Sequence, residues 1–327
     1  MEFSEKRDVY ADIATLYYLG DLRQEEIAKI YNISRFKVSR VLKKCRAQKI
    51  ITFKINASEN RADVLIDRLK EQLGIETVII APSGATEEES KAHVGQAAAD
   101  YLEKNITDGM HVGFSWGSTI QNIPRYFNPT HKIDNVTFVQ LCGSICSSSI
   151  NEQGYMDGSE IIRLLSAKSG GKADCSFFQV PYIVRQPILR EMLLREAIIS
   201  HHVSLFDKLD LVCLGIGSSL PSKSVSYLSG YISLEESKDM IRRGHAADIC
   251  GIRLAADGST ARTILDDRVL TITPDALRKV PLKLAVASGT DKAPSLVAGV
   301  RGNLINAVVL DEIAALATLD YLDSQQG

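Results

Sequence analysis

From Glu76 onward, short runs rich in β-branched residues alternate with longer stretches of helical periodicity. That alternation restricts the chain to an open, mostly parallel α/β sheet flanked by helices. Strands are expected at Val78 to Ala81, His111 to Phe114, Val136 to Leu141, Ser176 to Val180, Leu211 to Leu214, Ile249 to Leu254, Leu284 to Ala287 and Ala307 to Leu310. In such sheets ligands bind beyond the carboxyl ends of the strands, so the residues just after each strand carry the functional information. Four of those turns combine glycine with hydroxyls: Ser115-Trp116-Gly117-Ser118-Thr119, Cys142-Gly143-Ser144, Gly215-Ile216-Gly217-Ser218-Ser219 and Ser288-Gly289-Thr290-Asp291-Lys292. Glycine lets backbone N–H groups approach a ligand, hydroxyls donate to its oxygens, and a following helix turns its positive end toward an anion. Lys292 adds a mobile full charge. Any one of these turns reads as plain turn chemistry, but their repetition at successive strand ends favours a site for a phosphorylated small molecule.

Other chemistries fit less well. Gly215-Ile216-Gly217 resembles the start of a dinucleotide fingerprint, yet Leu220 stands where its third glycine belongs, and no ribose-binding acid follows a second strand. No cofactor is expected. Asp248, flanked by small residues, suits either a hydrogen bond to a sugar hydroxyl or the capping of local backbone N–H groups. Asp257-Gly258 reads as a β-turn. The six histidines show neither the HExxH spacing nor a nucleophilic triad, and His201-His202 is expected at a helix end. The six cysteines have no paired CxxC spacing and fall mostly in apolar runs, so they read as buried free thiols rather than as metal ligands. Neither a catalytic residue nor a metal site is expected.

Charge divides the chain unevenly. Residues 1–60 carry 12 Lys/Arg against 8 Asp/Glu, although the whole chain has a net charge of −2. Between Arg35 and Lys49 there are seven basic residues and no acidic one. A solvated helix face normally mixes signs, so this stripe favours an anionic partner. The same region has helix-turn-helix spacing. One helix is expected from about Lys6 to Leu19, with Val9, Ile13, Leu16 and Tyr17 inward, and a second from Gln24 to Tyr31, with Ile27, Ala28 and Ile30 inward. Asn32-Ile33 makes the turn, and Ser34 caps a third helix running to Ala47. Ala28 is small where two helices cross, while Val38 and Val41 lock the third helix to the second. Arg35, Phe36, Lys37, Ser39, Arg40, Lys43 and Lys44 are left outside. The first turn suits base edges in a major groove, and Lys43 and Lys44 suit phosphates. Ile50 to Ile55 reads as a short wing strand. A helix from Arg61 to Leu73 then carries Leu65, Leu69 and Leu73 in one stripe, for dimerisation or for packing on the next domain.

These motifs together resemble the SorC family of bacterial sugar-responsive transcription regulators. The residues that carry the likeness are the helix-turn-helix from Gln24 to Leu42, Gly113-Phe114-Ser115-Trp116-Gly117-Ser118-Thr119, Gly215-Ile216-Gly217, Gly230-Tyr231-Ile232, Ala247-Asp248-Ile249-Cys250-Gly251, Ser288-Gly289-Thr290-Asp291-Lys292-Ala293 and Gly302-Asn303-Leu304-Ile305-Asn306. The resemblance covers nearly the whole chain. The polar, small stretch Asn56 to Asn60 marks the boundary between a winged helix-turn-helix domain at residues 1–56 and a larger domain at 57–327, for which the resemblance implies an effector domain related to sugar-phosphate isomerases and deaminases. By position it assigns phosphate binding to Gly117, Ser118, Thr119 and Lys292, a hydroxyl contact to Asp248, and further pocket lining to Gly143 and Ser144. It also implies a dimer or tetramer that binds palindrome-like operator DNA. The chain departs from the family pattern at Ala255, where an acid is frequent, and at Ser144, where a second glycine is frequent.

The expected protein is therefore a DNA-binding regulator controlled by a sugar or sugar phosphate. The rival reading is a sugar-phosphate isomerase or deaminase with an accessory helical domain, for which Asp248 and His245 are the candidate bases. A third reading keeps the regulator but leaves its pocket vestigial. No apolar run of about 18 residues is present and the amino end lacks a signal-peptide core, so a cytoplasmic protein without membrane contact is expected.

Overall fold

The computed structural model describes residues 3–20, 22–47, 50–51, 59–145 and 155–325. The chain forms two compact units, Met1–Glu59 and Asn60–Gly327.

In the first unit, helix α1 spans Phe3–Tyr18, α2 Gln24–Ile30 and α3 Arg35–Ala47. Ile13, Ala14, Ile27, Ala28, Val38, Val41, Leu42 and Cys45 close its core. Asn32 takes a left-handed φ of 49°, which its short polar side chain tolerates, and so turns α2 into α3. The Ser34 hydroxyl accepts a hydrogen bond from the Lys37 N–H at 3.2 Å, capping α3. Two expected core residues face outward instead, Val9 at 38% exposure and Ile30 at 59%. Ile30 is the last residue of a seven-residue helix, and Ile27 and Ala28 already fill the contact with α3. Ile50 and Ile51 form a bend, not a strand, and the rest of the expected wing lies outside the described residues.

The second unit opens with α4, Glu59–Leu73, whose Leu65, Leu69 and Leu73 are buried in the core of this unit. Its sheet comprises β1 (Thr77–Ala81), β2 (His111–Phe114), β3 (Val136–Gln140), β4 (Ala173–Ser176), β5 (Leu211–Ser218), β8 (Leu282–Ala287) and β9 (Ala307–Asp311), with β6 (Ala247–Ile249) and β7 (Ile252–Leu254) as an appended hairpin. The order β1-β9-β8-β5-β2-β3-β4 is parallel at every pairing. Strands such as β9 are buried along their whole length, because both faces of a parallel sheet are covered. One face packs on the helix Glu87–Asn105 through Val94, Ala98, Ala99 and Leu102, the other on Ala293–Arg301 and Glu312–Ser324 through Leu296, Val297 and Leu319.

Two strands differ from expectation. The strand expected at Ser176 to Val180 lies upstream, at Ala173–Ser176. Phe178, inside the expected span, is buried as a stacking partner of His202 (centroids 4.7 Å apart) rather than as part of the ladder. The run Ile249 to Leu254 is not one strand. Cys250 (φ 52°) and Gly251 (φ 80°) are both left-handed and fold it into the β6–β7 hairpin, with Asp248 opposite Arg253. The hairpin extends β5 antiparallel, pairing Gly217 with Asp248. The recognised sheet thus acquires a rim beyond its carboxyl edge.

Candidate functional site

Parallel strands of unequal length leave a crevice where β2 stops at Phe114 while its neighbour β5 continues to Ser218. The cavity there lies beyond the carboxyl ends of the central strands, where open α/β sheets bind small ligands. Its walls come from the turn Ser115 to Thr119, the end of β5 from Gly215 to Ser218, the segment Lys223 to Val225, the hairpin at Asp248, Cys250 and Gly251, and Lys292. Trp116, Tyr182, Ile216 and Val286 supply apolar surface. The Ser115 hydroxyl accepts from the Gly215 N–H at 2.9 Å and ties the two central turns together. Trp116 donates its indole N–H to the Gly143 carbonyl at 3.2 Å and meets Tyr182 edge to face at 5.1 Å.

Of the residues expected to hold an effector, Gly117, Ser118, Thr119, Asp248 and Lys292 all line this cavity, although they are far apart in sequence. Gly143 and Ser144 do not. A methyl group at Gly143 would lie 2.7 Å from the carbonyl oxygens of Val180 and Pro181, so this glycine serves close backbone packing. The Ser144 N–H donates to Val180 O and its carbonyl accepts from the Tyr182 N–H, both at 2.9 Å. These two residues hold the segment that delivers Tyr182, and Cys142 is the member of that turn that reaches the cavity.

Asp248 takes the local capping role and also borders the cavity. Its Oδ1 accepts from the Gly251 N–H at 2.9 Å, bracing the hairpin turn, while the carboxylate borders the cavity. Its Oδ2 lies 3.6 Å from Nη2 of Arg253, which is only 2% exposed. A buried guanidinium requires such partners. Arg253 also donates to Gly251 O at 3.0 Å and to the Ser226 hydroxyl at 3.2 Å. His245, buried beside this cluster, is pushed below the usual imidazole range by burial, against the pull of Asp248.

After β8, Gly289 (φ 96°) turns the chain into the short 3-10 helix Thr290–Lys292. The turn is held from beneath by buried Asp311, which accepts from Ser288 Oγ at 2.9 Å and from the Gly289 N–H at 3.2 Å. Lys292 Nζ lies 3.1 Å from Asp291 Oδ2, and Lys223 Nζ lies 2.9 Å from Asp291 Oδ1. Burial lowers the affinity of Lys292 for its proton despite Asp291. Burial also pulls Asp291 upward, but Lys292 and Lys223 outweigh it and hold the carboxyl below its usual range. The hydrogen bond to Asp291 raises Lys223.

Sequence reasoning missed Lys223, Tyr155, Tyr182 and the supporting Arg253. Lys223 carried no signal beyond a lone charge in a serine-rich turn. Tyr182 reaches the cavity from a segment expected to be connecting chain. Cys45, Cys142, Cys213 and Cys250 are free and buried, and Cys175 is free and half-buried. His202 closes helix Ala197–Ser204, as expected of a histidine at a helix end. Among the described residues no group of acids, cysteines and histidines could hold a metal ion, and no helix is long and apolar enough to cross a membrane.

On the first unit, Arg35, Phe36, Lys37, Arg40, Lys43 and Lys44 are exposed along α3, and Ser39 is half-buried. Phe36 is 86% exposed. Arg35 Nε pairs with Glu25 Oε1 of α2 at 2.9 Å, so one member of the cationic stripe is partly neutralised by its neighbour.

The chain thus carries a three-helix unit whose outer helix is basic and a parallel α/β unit with a cavity at its strand ends, and its relatives are named as transcriptional regulators rather than enzymes. Residues 60–320 match the family described as "Putative sugar-binding domain". The chain is 28% identical to the sorbitol operon regulator of Klebsiella pneumoniae, over 96% of this chain and 98% of that one. It is 24% identical to the deoxyribonucleoside regulator of Bacillus subtilis, over 97% and 99%. The crystal structure of the full-length Klebsiella sorbitol operon regulator, SorC, superposes with a TM-score of 0.76 at 26% identity, covering 95% of this chain and 98% of that one. The chain belongs to this SorC family of sugar-binding transcriptional regulators.

Proposed function

We propose that the protein binds operator DNA through α3 and that a sugar or sugar phosphate in the cavity of the second unit controls that binding. The observation that carries the reading is the meeting of Gly117, Ser118 and Thr119 with Lys292 around one cavity. Backbone N–H groups, hydroxyls and an ammonium form a set of donors for an anionic oxygen cluster, and Asp248 across the cavity is an acceptor for sugar hydroxyls. Gly143 and Ser144 support the wall from behind. No further cofactor is required.

On the DNA side, Arg35, Phe36, Lys37, Ser39 and Arg40 are the base-proximal set, and Lys43 and Lys44 the phosphate-facing set. Two copies of α3 are needed to read a palindrome-like operator, so the working form is a homodimer or a homotetramer in the cytoplasm. The reading is tested by thermal denaturation against a panel of free and phosphorylated sugars. A ligand present at about 100 times its dissociation constant should stabilise the protein by about 2.7 kcal/mol. A cavity that no member of the panel stabilises would be vestigial, and the control mechanism would be wrong.

A further inference from the structure

A carboxylate of the chain sits between the two lysines of the cavity. Asp291 Oδ1 accepts a hydrogen bond from Lys223 Nζ at 2.9 Å, and its Oδ2 forms an ion pair with Lys292 Nζ at 3.1 Å without hydrogen-bond geometry. The two lysines reach it from separate segments, the 3-10 turn Pro221–Lys223 and the 3-10 turn Thr290–Lys292. Both line the cavity. Their burial differs: the Lys292 side chain is 18% exposed and fixed in the wall, whereas that of Lys223 is 43% exposed at the rim. Asp291 itself is almost fully enclosed.

We propose that Lys223 and Lys292 form a two-lysine clamp for the anionic group of the effector, and that Asp291 is the internal anion with which the effector competes for that clamp. The inference rests on the cavity being the effector site and narrows the effector to an anionic one. A neutral hydroxyl would have to take an ammonium from a carboxylate, exchanging a charge-assisted bond for one about half as strong. A phosphate monoester replaces that bond with another charge-assisted one, because its three terminal oxygens share the negative charge. Lys223, a compact charge on a flexible stem, can swing from Asp291 onto the newcomer without moving the wall. The 117 to 119 turn, which lines the same cavity, adds backbone N–H donors to the clamp.

The chain has a single tryptophan, Trp116, and it lines the cavity, so its fluorescence reports occupancy directly. Inorganic phosphate is the probe, titrated into the full-length wild type and into Lys223→Ala, Lys223→Arg, Lys292→Ala and Asp291→Asn variants of unchanged melting temperature. Lys223→Ala should bind phosphate about tenfold more weakly than wild type, Lys223→Arg close to wild type, and Asp291→Asn several-fold more tightly. If Lys223→Ala binds as wild type does while Lys292→Ala does not, Lys223 is no ligand and the clamp is refuted, although the cavity reading survives. A weaker Asp291→Asn would refute the competition. If a neutral sugar quenches Trp116 equally in all variants, the effector is uncharged and the inference fails while the cavity keeps its role. If phosphate, free sugars and sugar phosphates all leave Trp116 unperturbed in the wild type, the effector site itself is misplaced.

Discussion

Asp311 Oδ2 accepts a hydrogen bond from Ser288 Oγ at 2.9 Å, joining the carboxyl ends of two adjacent parallel strands directly beneath the Lys292 turn. The other oxygen of the same carboxylate accepts from the N–H groups of Gly289 and, at 2.9 Å, of Ala314, so that one buried acid positions the cavity wall and caps the last helix. Removing it leaves several donors unsatisfied where water does not reach. Asp311→Ala should lose about 3 kcal/mol of stability, read from urea denaturation, whereas Asp311→Asn should lose less because one acceptor remains.

His202 provides a pH dependence with a definite sign. Its ring nitrogens face Ser176 Oγ at 2.7 Å and the Gln140 carbonyl at 2.9 Å, it is stacked on Phe178, and burial brings it down to about 4. The unfolded chain takes up this proton near pH 6.5, so between about 6.5 and 4 it binds more protons than the folded one and stability falls as the pH falls. The loss amounts to about 3 kcal/mol over that window. In denaturation curves at successive pH values, His202→Gln should show a correspondingly flatter decline than wild type, and parallel declines would show that another group is responsible.

Gly251 separates backbone geometry from side-chain chemistry at the cavity. A methyl group there would stand 2.8 Å from the Tyr182 hydroxyl, and its φ of 80° disfavours any side chain. Gly251→Ala should therefore cost about 1–3 kcal/mol and weaken effector binding by displacing the hairpin that carries Asp248, measured by denaturation and by Trp116 titration.

For the basic helix, two kinds of contact predict two kinds of loss. Arg40→Ala should cost about 1–3 kcal/mol in operator affinity and relax discrimination at one base pair. Lys43→Ala should weaken binding similarly on all sequences and reduce the slope of log affinity against log salt by about one. Fluorescence anisotropy on operator and scrambled duplexes at several salt concentrations distinguishes them.

The helix-turn-helix was legible because its determinants are local: Asn32 for the left-handed turn, Ser34 for the cap, and Ile27, Ala28, Val38 and Val41 for the crossing. Periodicity alone misplaced Val9 and Ile30, because a helical stripe shows which residues share a face but not where the neighbouring helix stops covering it. The parallel strands were legible for a related reason, since burial on both faces leaves continuous apolar runs such as Ala307 to Leu310. The hairpin was not. Ile249 to Leu254 carries the apolar alternation of one strand, and its break rests on left-handed Cys250, a conformation that a cysteine gives no sign of adopting. The burial of Arg253 depends on Asp248 and Gly251 across that same hairpin and on Ser226 from a distant segment. The site residues found in advance, Gly117 to Thr119, Asp248 and Lys292, stand in turns with recognisable chemistry. Lys223 and Tyr182 owe their places to tertiary packing alone.

The central claim is that occupancy of the cavity sets affinity for DNA. It is tested most directly by fluorescence anisotropy of a labelled operator duplex, titrated with wild-type and Lys292→Ala protein in the presence and absence of the sugar phosphate that most raises the wild-type melting temperature. Coupling of about 1–3 kcal/mol should change wild-type operator affinity by about 5- to 150-fold, and the same ligand concentration should leave the Lys292→Ala curve where it was. An equal ligand effect in both proteins, or none in the wild type, would contradict the account.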